Sequence, residues 1–237
     1  MSLIVKNDLY DYKNRYIYQY KEGFKFSLDS LLLAEFVEHT GFKKKILDMC
    51  TGNAVVPLVQ TTYGFDQIVG FELQREVALL AEKSVSINKL TDKITIVNDD
   101  IKNIYNYYEK ESFDVITCNP PYFKVNNKDF INKRDILSIA RHEVALKLEE
   151  VFDIASKMLK NKGVFYLVHR ANRLDEVIVL AHKYNLNVKV LQLLRTKNEE
   201  KPTILLVKCI KGSKFGIIIN NEISVLNLST YQHLFRK

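Results

Sequence analysis

The 237-residue chain contains no tryptophan, only four prolines and only three cysteines. Cys50, Cys118 and Cys209 are odd in number, show no Cys-x-x-Cys spacing and accompany no clustered histidine. Neither a disulfide framework nor a zinc site is expected, and a reducing compartment fits. Charges interrupt every apolar stretch well short of the roughly 20 residues that a membrane-spanning helix needs. The start, Met1-Ser2-Leu3-Ile4-Val5-Lys6, has no signal-peptide pattern. Internal repeats and low-complexity segments are also lacking. These absences predict a soluble, cytoplasmic protein with no membrane partner and no metal.

The length suits one α/β domain with a sizeable core and a small appendage. With 35 Lys and Arg against 28 Asp and Glu, the net charge of +7 favours a polyanionic partner. Two of the four prolines stand together in Thr117-Cys118-Asn119-Pro120-Pro121-Tyr122, directly after the apolar run Phe113-Asp114-Val115-Ile116. The run reads as a buried strand. The prolines remove two amide donors and fix φ, leaving a stiff tip rich in acceptors: the Asn119 amide and nearby carbonyls. Such a tip can hold both hydrogens of an exocyclic amine while the ring of Tyr122 stacks on the planar group that carries it. The amine is then placed as a nucleophile.

In chain order, Tyr16-Ile17-Tyr18-Gln19-Tyr20 alternates like a strand, Lys21-Glu22-Gly23 can turn, and Phe24-Lys25-Phe26 can return as a hairpin. Ser27 can cap a helix in which Leu28, Leu31, Leu32 and Phe36 recur at helical spacing until Gly41. From Lys45 the pattern becomes strand, turn, helix repeatedly, with strands near 46–50, 67–72, 94–97 and 113–118 and helices over 55–60 and 74–88. Beyond the irregular stretch 123–142 it continues with a helix to residue 160, a strand over 164–169, a helix over 174–184 and strands near 188–194 and 204–210. Alternation of this kind predicts a parallel, doubly wound sheet. Ile217 to Val225 suggests a hairpin in the tail. The tyrosines Tyr10, Tyr12, Tyr16, Tyr18 and Tyr20 read as half-buried strand packing.

Three strand ends carry cofactor signals. Asp48-Met49-Cys50-Thr51-Gly52-Asn53-Ala54 has a glycine turn that lets backbone approach a ligand, although a second glycine often stands where Ala54 is. Glu72 ends the next strand 20 residues after Gly52 (72 − 52), where a carboxylate can accept from both ribose hydroxyls of a nucleoside cofactor. Asp100 and Ile101 end the third strand, placed to meet an adenine amino group and cover its ring, with Asp99 as the competing acid. A nicotinamide dehydrogenase would share the glycine turn and the acid; Asn-Pro-Pro-Tyr points to methyl transfer instead.

Asn-Pro-Pro-Tyr after a strand resembles the amine-methylating motif of S-adenosylmethionine-dependent methyltransferases that modify adenine N6, guanine N2 or a glutamine amide. With Phe24-Lys-Phe-Ser-Leu-Asp29-Ser-Leu-Leu-Leu, Asp48-Met-Cys-Thr-Gly-Asn, Ala140-Arg-His-Glu143 and Gly163-Val-Phe-Tyr-Leu-Val-His-Arg170, the chain resembles the bacterial tRNA adenine-N6 methyltransferase family that acts next to the anticodon, at position 37 of a valine tRNA. The resemblance implies a Rossmann-like class I methyltransferase: a mostly parallel seven-stranded sheet with an antiparallel last strand. It is preceded by an N-terminal hairpin and helix (1–40), itself spans 41–211, and is followed by a tail (212–237). It implies S-adenosyl-L-methionine as cofactor, held by Asp48, Gly52, Asn53, Glu72, Asp100, Ile101 and Asn119. Asn119, Pro120 and Tyr122 would serve catalysis. Tyr122, Lys124, Arg141 and His142 would bind tRNA, and a monomer is compatible with all of this. Protein-glutamine N5 and rRNA guanine-N2 methylation are the alternatives.

Overall fold

The computed structural model describes residues 3–9, 12, 14–21, 27–39, 44–121, 146–196 and 199–225. The chain opens with two antiparallel strands, β1 (Ile4–Asp8) and β2 (Tyr16–Tyr20). The predicted strand at 16–20 is present, but its partner precedes it; Phe24, Lys25 and Phe26 lie outside the described residues. Ile17 is fully buried while Tyr16, Tyr18 and Tyr20 are half-buried. The edge of β2 that faces away from β1 is closed by side chains of a helix described below, α3. Asn88 Oδ1 accepts from Tyr16 N at 2.9 Å, Asn88 Nδ2 donates to Tyr16 O at 2.6 Å, and Ser84 Oγ accepts from Tyr18 N at 2.9 Å. An edge strand's exposed donors and acceptors are thereby satisfied.

Helix α1 (Leu28–Phe36) follows, with Leu31, Leu32 and Leu33 completely buried. Each such side chain contributes about 1.5–3 kcal/mol by leaving water. The helix ends at Phe36, before Gly41, because Val37 turns to extended backbone. The ring of Phe36 meets Tyr166 edge-on at 5.9 Å, and Gln60 Nε2 donates to Ala34 O at 2.7 Å, so α1 is fixed on the core.

The α/β core runs β3 (Lys45–Met49), α2 (Val55–Thr62), β4 (Gln67–Phe71), α3 (Arg75–Ile87), β5 (Ile94–Val97), a 3₁₀ turn (Ile101–Asn106) and β6 (Phe113–Cys118). It continues with α4 (Leu148–Met158), β7 (Leu159–Arg170), α5 (Leu174–Lys183), β8 (Leu186–Thr196) and β9 (Ile204–Lys211). Strand order across the sheet is β8-β9-β7-β6-β3-β4-β5, parallel except for β9, which is antiparallel to both neighbours. This is the expected seven-stranded pattern. Side chains alternate between two apolar layers: Ile46, Val115 and Tyr166 join one, and Leu47, Ile116, Phe165 and Leu167 the other.

Two short strands widen the sheet. β10 (Ile218–Ile219) and β11 (Ile223–Val225) both pair in parallel with β8. The tail hairpin expected from 217–225 is thus corrected: the long strand β8 offers an open edge along its whole length, and both segments take it rather than each other. No helix of the described residues is long and apolar enough to cross a membrane.

Candidate active site

Strand order reverses at β3, which has β4 on one side and β6 on the other. Met49 pairs with Cys118 in register, so the turn after β3 and the tip after β6 leave the sheet side by side. In an open α/β sheet this is where a ligand crevice forms.

The turn after β3 is tightly curled. Cys50 (φ 60°), Gly52 (φ 56°) and Ala54 (φ 68°) are all left-handed, a conformation that costs a residue with a Cβ about 1–2 kcal/mol. Several bonds hold this shape. Thr51 N donates to Phe71 O at 2.8 Å, and Gly52 N donates to Glu72 Oε2 at 2.9 Å. The other Glu72 oxygen accepts from Gln74 N at 2.9 Å. Glu72 is buried, and burial pushes its carboxyl up despite these bonds.

Beneath the turn, Asp48 accepts from Thr51 Oγ1 at 2.7 Å and from Thr117 Oγ1 at 2.6 Å, tying β3 to β6 two residues before Asn119. Burial pushes its carboxyl up to about 7; the two hydroxyl bonds oppose the shift and nearby Glu72 adds to it. Gly70 makes room for this arrangement, since a Cβ there would stand 2.8 Å from Thr51 Oγ1. The Cys118 thiol is also pushed up, by burial and by the neighbouring Cys50 thiol.

Asn53 is buried and donates through Nδ2 to Tyr18 O at 2.8 Å, so β2 leans on the turn after β3. Its Oδ1 is buried with no hydrogen-bond partner, an acceptor for a donor that the described residues do not supply. At the end of β5, Asp99 accepts from Asn103 Nδ2 and Tyr107 Oη, both at 2.9 Å, and these bonds hold its carboxyl low. Asp100 caps the 3₁₀ turn through Lys102 N at 3.0 Å, and Ile101 beside it is buried.

At the tip, Asn119 Nδ2 donates to Ser30 Oγ at 2.9 Å and lies 3.4 Å from Ser27 Oγ. Pro120 is buried and Pro121 half-buried. The structure brings Asp48, Gly52, Asn53, Glu72 and Asn119 together around the reversal, with Asp100 and Ile101 at the end of the outer strand. Tyr122, Lys124, Arg141 and His142 lie outside the described residues. Sequence reasoning missed Ser27 and Ser30 as neighbours of the tip; the only signal was their place in the segment Phe24-Lys-Phe-Ser-Leu-Asp-Ser.

Beside the prolines lies a cavity of about 290 Å³, lined also by Leu146, Lys147, His169, Arg173 and Glu176. Arg173 forms a two-pronged pair with Glu176, at 2.6 and 2.7 Å. Burial, followed by the Arg173 charge, pushes His169 down to about 4, so its ring is neutral. Its Nδ1 accepts from Arg170 N at 2.9 Å. Among the described residues no cluster of His, Cys, Asp or Glu could hold a metal ion.

Comparison with known proteins identifies the family and the fold. A protein of Bacteroides thetaiotaomicron named tRNA1(Val) (adenine(37)-N6)-methyltransferase is 29% identical over 182 residues, 76% of this chain and 74% of that one. A protein of the same name from Flavobacterium psychrophilum is 24% identical over 232 residues, covering 97% and 94%. Among solved structures, a predicted O-methyltransferase of Agrobacterium tumefaciens superposes with a TM-score of 0.63 at 16% identity, covering 86% of this chain and 96% of that one. The tRNA m1G37 methyltransferase of M. jannaschii superposes at 0.61 with 15% identity, covering 84% and 55%. These likenesses show the class I methyltransferase fold. The pattern defining the family described as RNA methyltransferase matches residues 23–159, more than half of the sequence, and the chain belongs to that family.

Proposed function

We propose that this protein transfers a methyl group from S-adenosyl-L-methionine to the exocyclic N6 of an adenine in tRNA, at position 37 next to the anticodon. The observation that carries the reading is the Asn119-Pro120-Pro121 tip, set beside the Gly52 turn by the pairing of Met49 with Cys118. The names of the relatives and the net charge of +7 support adenine and tRNA.

The residues fit the cofactor. Glu72 would accept from the ribose hydroxyls, Asp100 and Ile101 would meet the adenine, and the unpartnered Asn53 Oδ1 sits in the turn that would approach it. When bound, S-adenosylmethionine supplies the methyl group as a sulfonium. The protein's contribution is placement. Asn119 and the Pro120 carbonyl accept the two amine hydrogens, Tyr122 stacks on the base, and Lys124, Arg141 and His142 contact the RNA. After transfer the amine loses its proton to water, so His142 need not act as a base.

Mass spectrometry of nucleosides from individual tRNAs, from cells with and without the protein, tests this. Loss of N6-methyladenosine from one tRNA is expected. Unchanged tRNA, with methyl incorporated instead into a glutamine of a release factor or into rRNA guanine, would overturn it.

A further inference from the structure

We propose that Ser30, assisted by Ser27, is a positioning residue that sets the plane of the Asn119 carboxamide from the side of α1. This rests on the reading of Asn119 as the holder of the target amine. Ser30 Oγ stands 2.9 Å from Asn119 Nδ2 and Ser27 Oγ stands 3.4 Å from it, across 89 and 92 residues of sequence. The two serines are three apart at the start of α1 and therefore lie on one face. Ser27 occupies the N-cap, where a serine side chain ordinarily accepts a main-chain N–H, yet it makes no such bond. Its hydroxyl is turned toward the tip instead.

The chemistry makes this consequential. A carboxamide presents an acceptor at one end and two donors at the other, in nearly the same shape. Turned over, it would set N–H groups against the hydrogens of the target amine. A hydroxyl serves either end, so the serines fix the plane of the group, and the bond from Nδ2 turns its nitrogen end toward α1. The anchor is rigid, because α1 is held by the edge-on contact of Phe36 with Tyr166 and by the Gln60 bond to Ala34 O.

The test is single-turnover methylation of bulk tRNA from cells lacking the protein, beside calorimetric titration with S-adenosylmethionine. Ser30→Ala should slow transfer by about tenfold, the rate equivalent of one hydrogen bond, with cofactor affinity unchanged. Ser30→Thr should restore most of the rate, and Ser27→Ala should slow it less than Ser30→Ala. In an Asn119→Ala background Ser30→Ala should have no further effect. Alanine suits a helix better than serine, so folding is expected to hold. A wild-type rate in Ser30→Ala, an undiminished effect on the Asn119→Ala background, or an equal loss of cofactor affinity would overturn the assignment. If Asn119→Ala itself stayed fully active, the reading of the tip would fall as well; an inactive Asn119→Ala beside an active Ser30→Ala would sink this inference alone.

Discussion

The main-chain N–H of Gly52 donates to the Glu72 carboxylate at 2.9 Å, joining the turn after β3 to the end of β4. One side chain therefore shapes the turn after β3 and sets a carboxyl group against its main chain.

Glu72→Ala should weaken S-adenosylmethionine binding by ~1.5–3 kcal/mol, the cost of losing charge-assisted hydrogen bonds. Glu72→Gln should fall between, because its carbonyl can still take the Gly52 N–H while its amide group meets the N–H of Gln74. Calorimetry on folded variants measures both, and an unchanged affinity in Glu72→Ala would remove Glu72 from the ribose site.

Ala54 carries its methyl in a left-handed conformation (φ 68°, ψ 32°) at the start of α2. Replacing it with glycine relieves that strain, which offsets the buried methyl that is lost and the added freedom of the unfolded chain. Ala78 is as deeply buried but lies within helix α3, where glycine gives no such relief. Ala54→Gly should therefore cost at least ~1 kcal/mol less than Ala78→Gly in urea unfolding. Equal costs would show that the turn is not strained in solution.

Asp48 gives a pH signature. Its carboxyl rises from 3.8 to about 7 on folding, so between those values the folded protein keeps a proton that the unfolded chain has lost. Its contribution to stability is full below pH ~4, falls as pH rises toward ~7 and is flat above, at ~1.4 kcal/mol per unit. Glu72 acts in the same direction. His169, pushed down from 6.5 to about 4, acts oppositely and gains stability as pH rises through that window. Wild type alone would thus show a shallow profile. The difference between Asp48→Asn and wild type isolates the carboxyl: it should move in favour of the variant from pH 4 to 7 and then level off. A flat difference would mean that Asp48 is ionised in the folded protein.

Most of the core is legible because its strands are apolar runs bounded by turn residues and helices α3, α4 and α5 carry one buried stripe, whereas α2 is buried all round. The strands at 113–118 and 94–97 have the bounds that their apolar runs predict. β1 is not legible, since Ile4-Val5-Lys6-Asn7-Asp8 shows no clean alternation of apolar and polar residues and is exposed or half-buried along its length. The sequence pattern starts this strand at Val164, whereas β7 begins at Leu159, where the register with β6 shifts between Phe113 and Val115. At the site, the acids could be found from their places at strand ends. The Asn119–Ser30 bond could not, because nothing local in either segment encodes a partner 89 residues away.

Asn119 and Tyr122 should have separable signatures. Asn119→Ala should abolish most methyl transfer while leaving S-adenosylmethionine affinity nearly intact, because its proposed partner is the target amine, and Ser30 and Ser27, to which its Nδ2 bonds, stand at the start of α1 and not in the turn after β3. Tyr122→Ala should weaken productive placement of the base through lost stacking, worth ~1–3 kcal/mol per base, and Tyr122→Phe should retain most activity because the ring is kept. Single-turnover methylation of tRNA beside cofactor titrations distinguishes the two. A fully active Asn119→Ala would remove the amide from the chemistry, and an inactive Tyr122→Phe would show that the hydroxyl, rather than the face of the ring, is what the base requires.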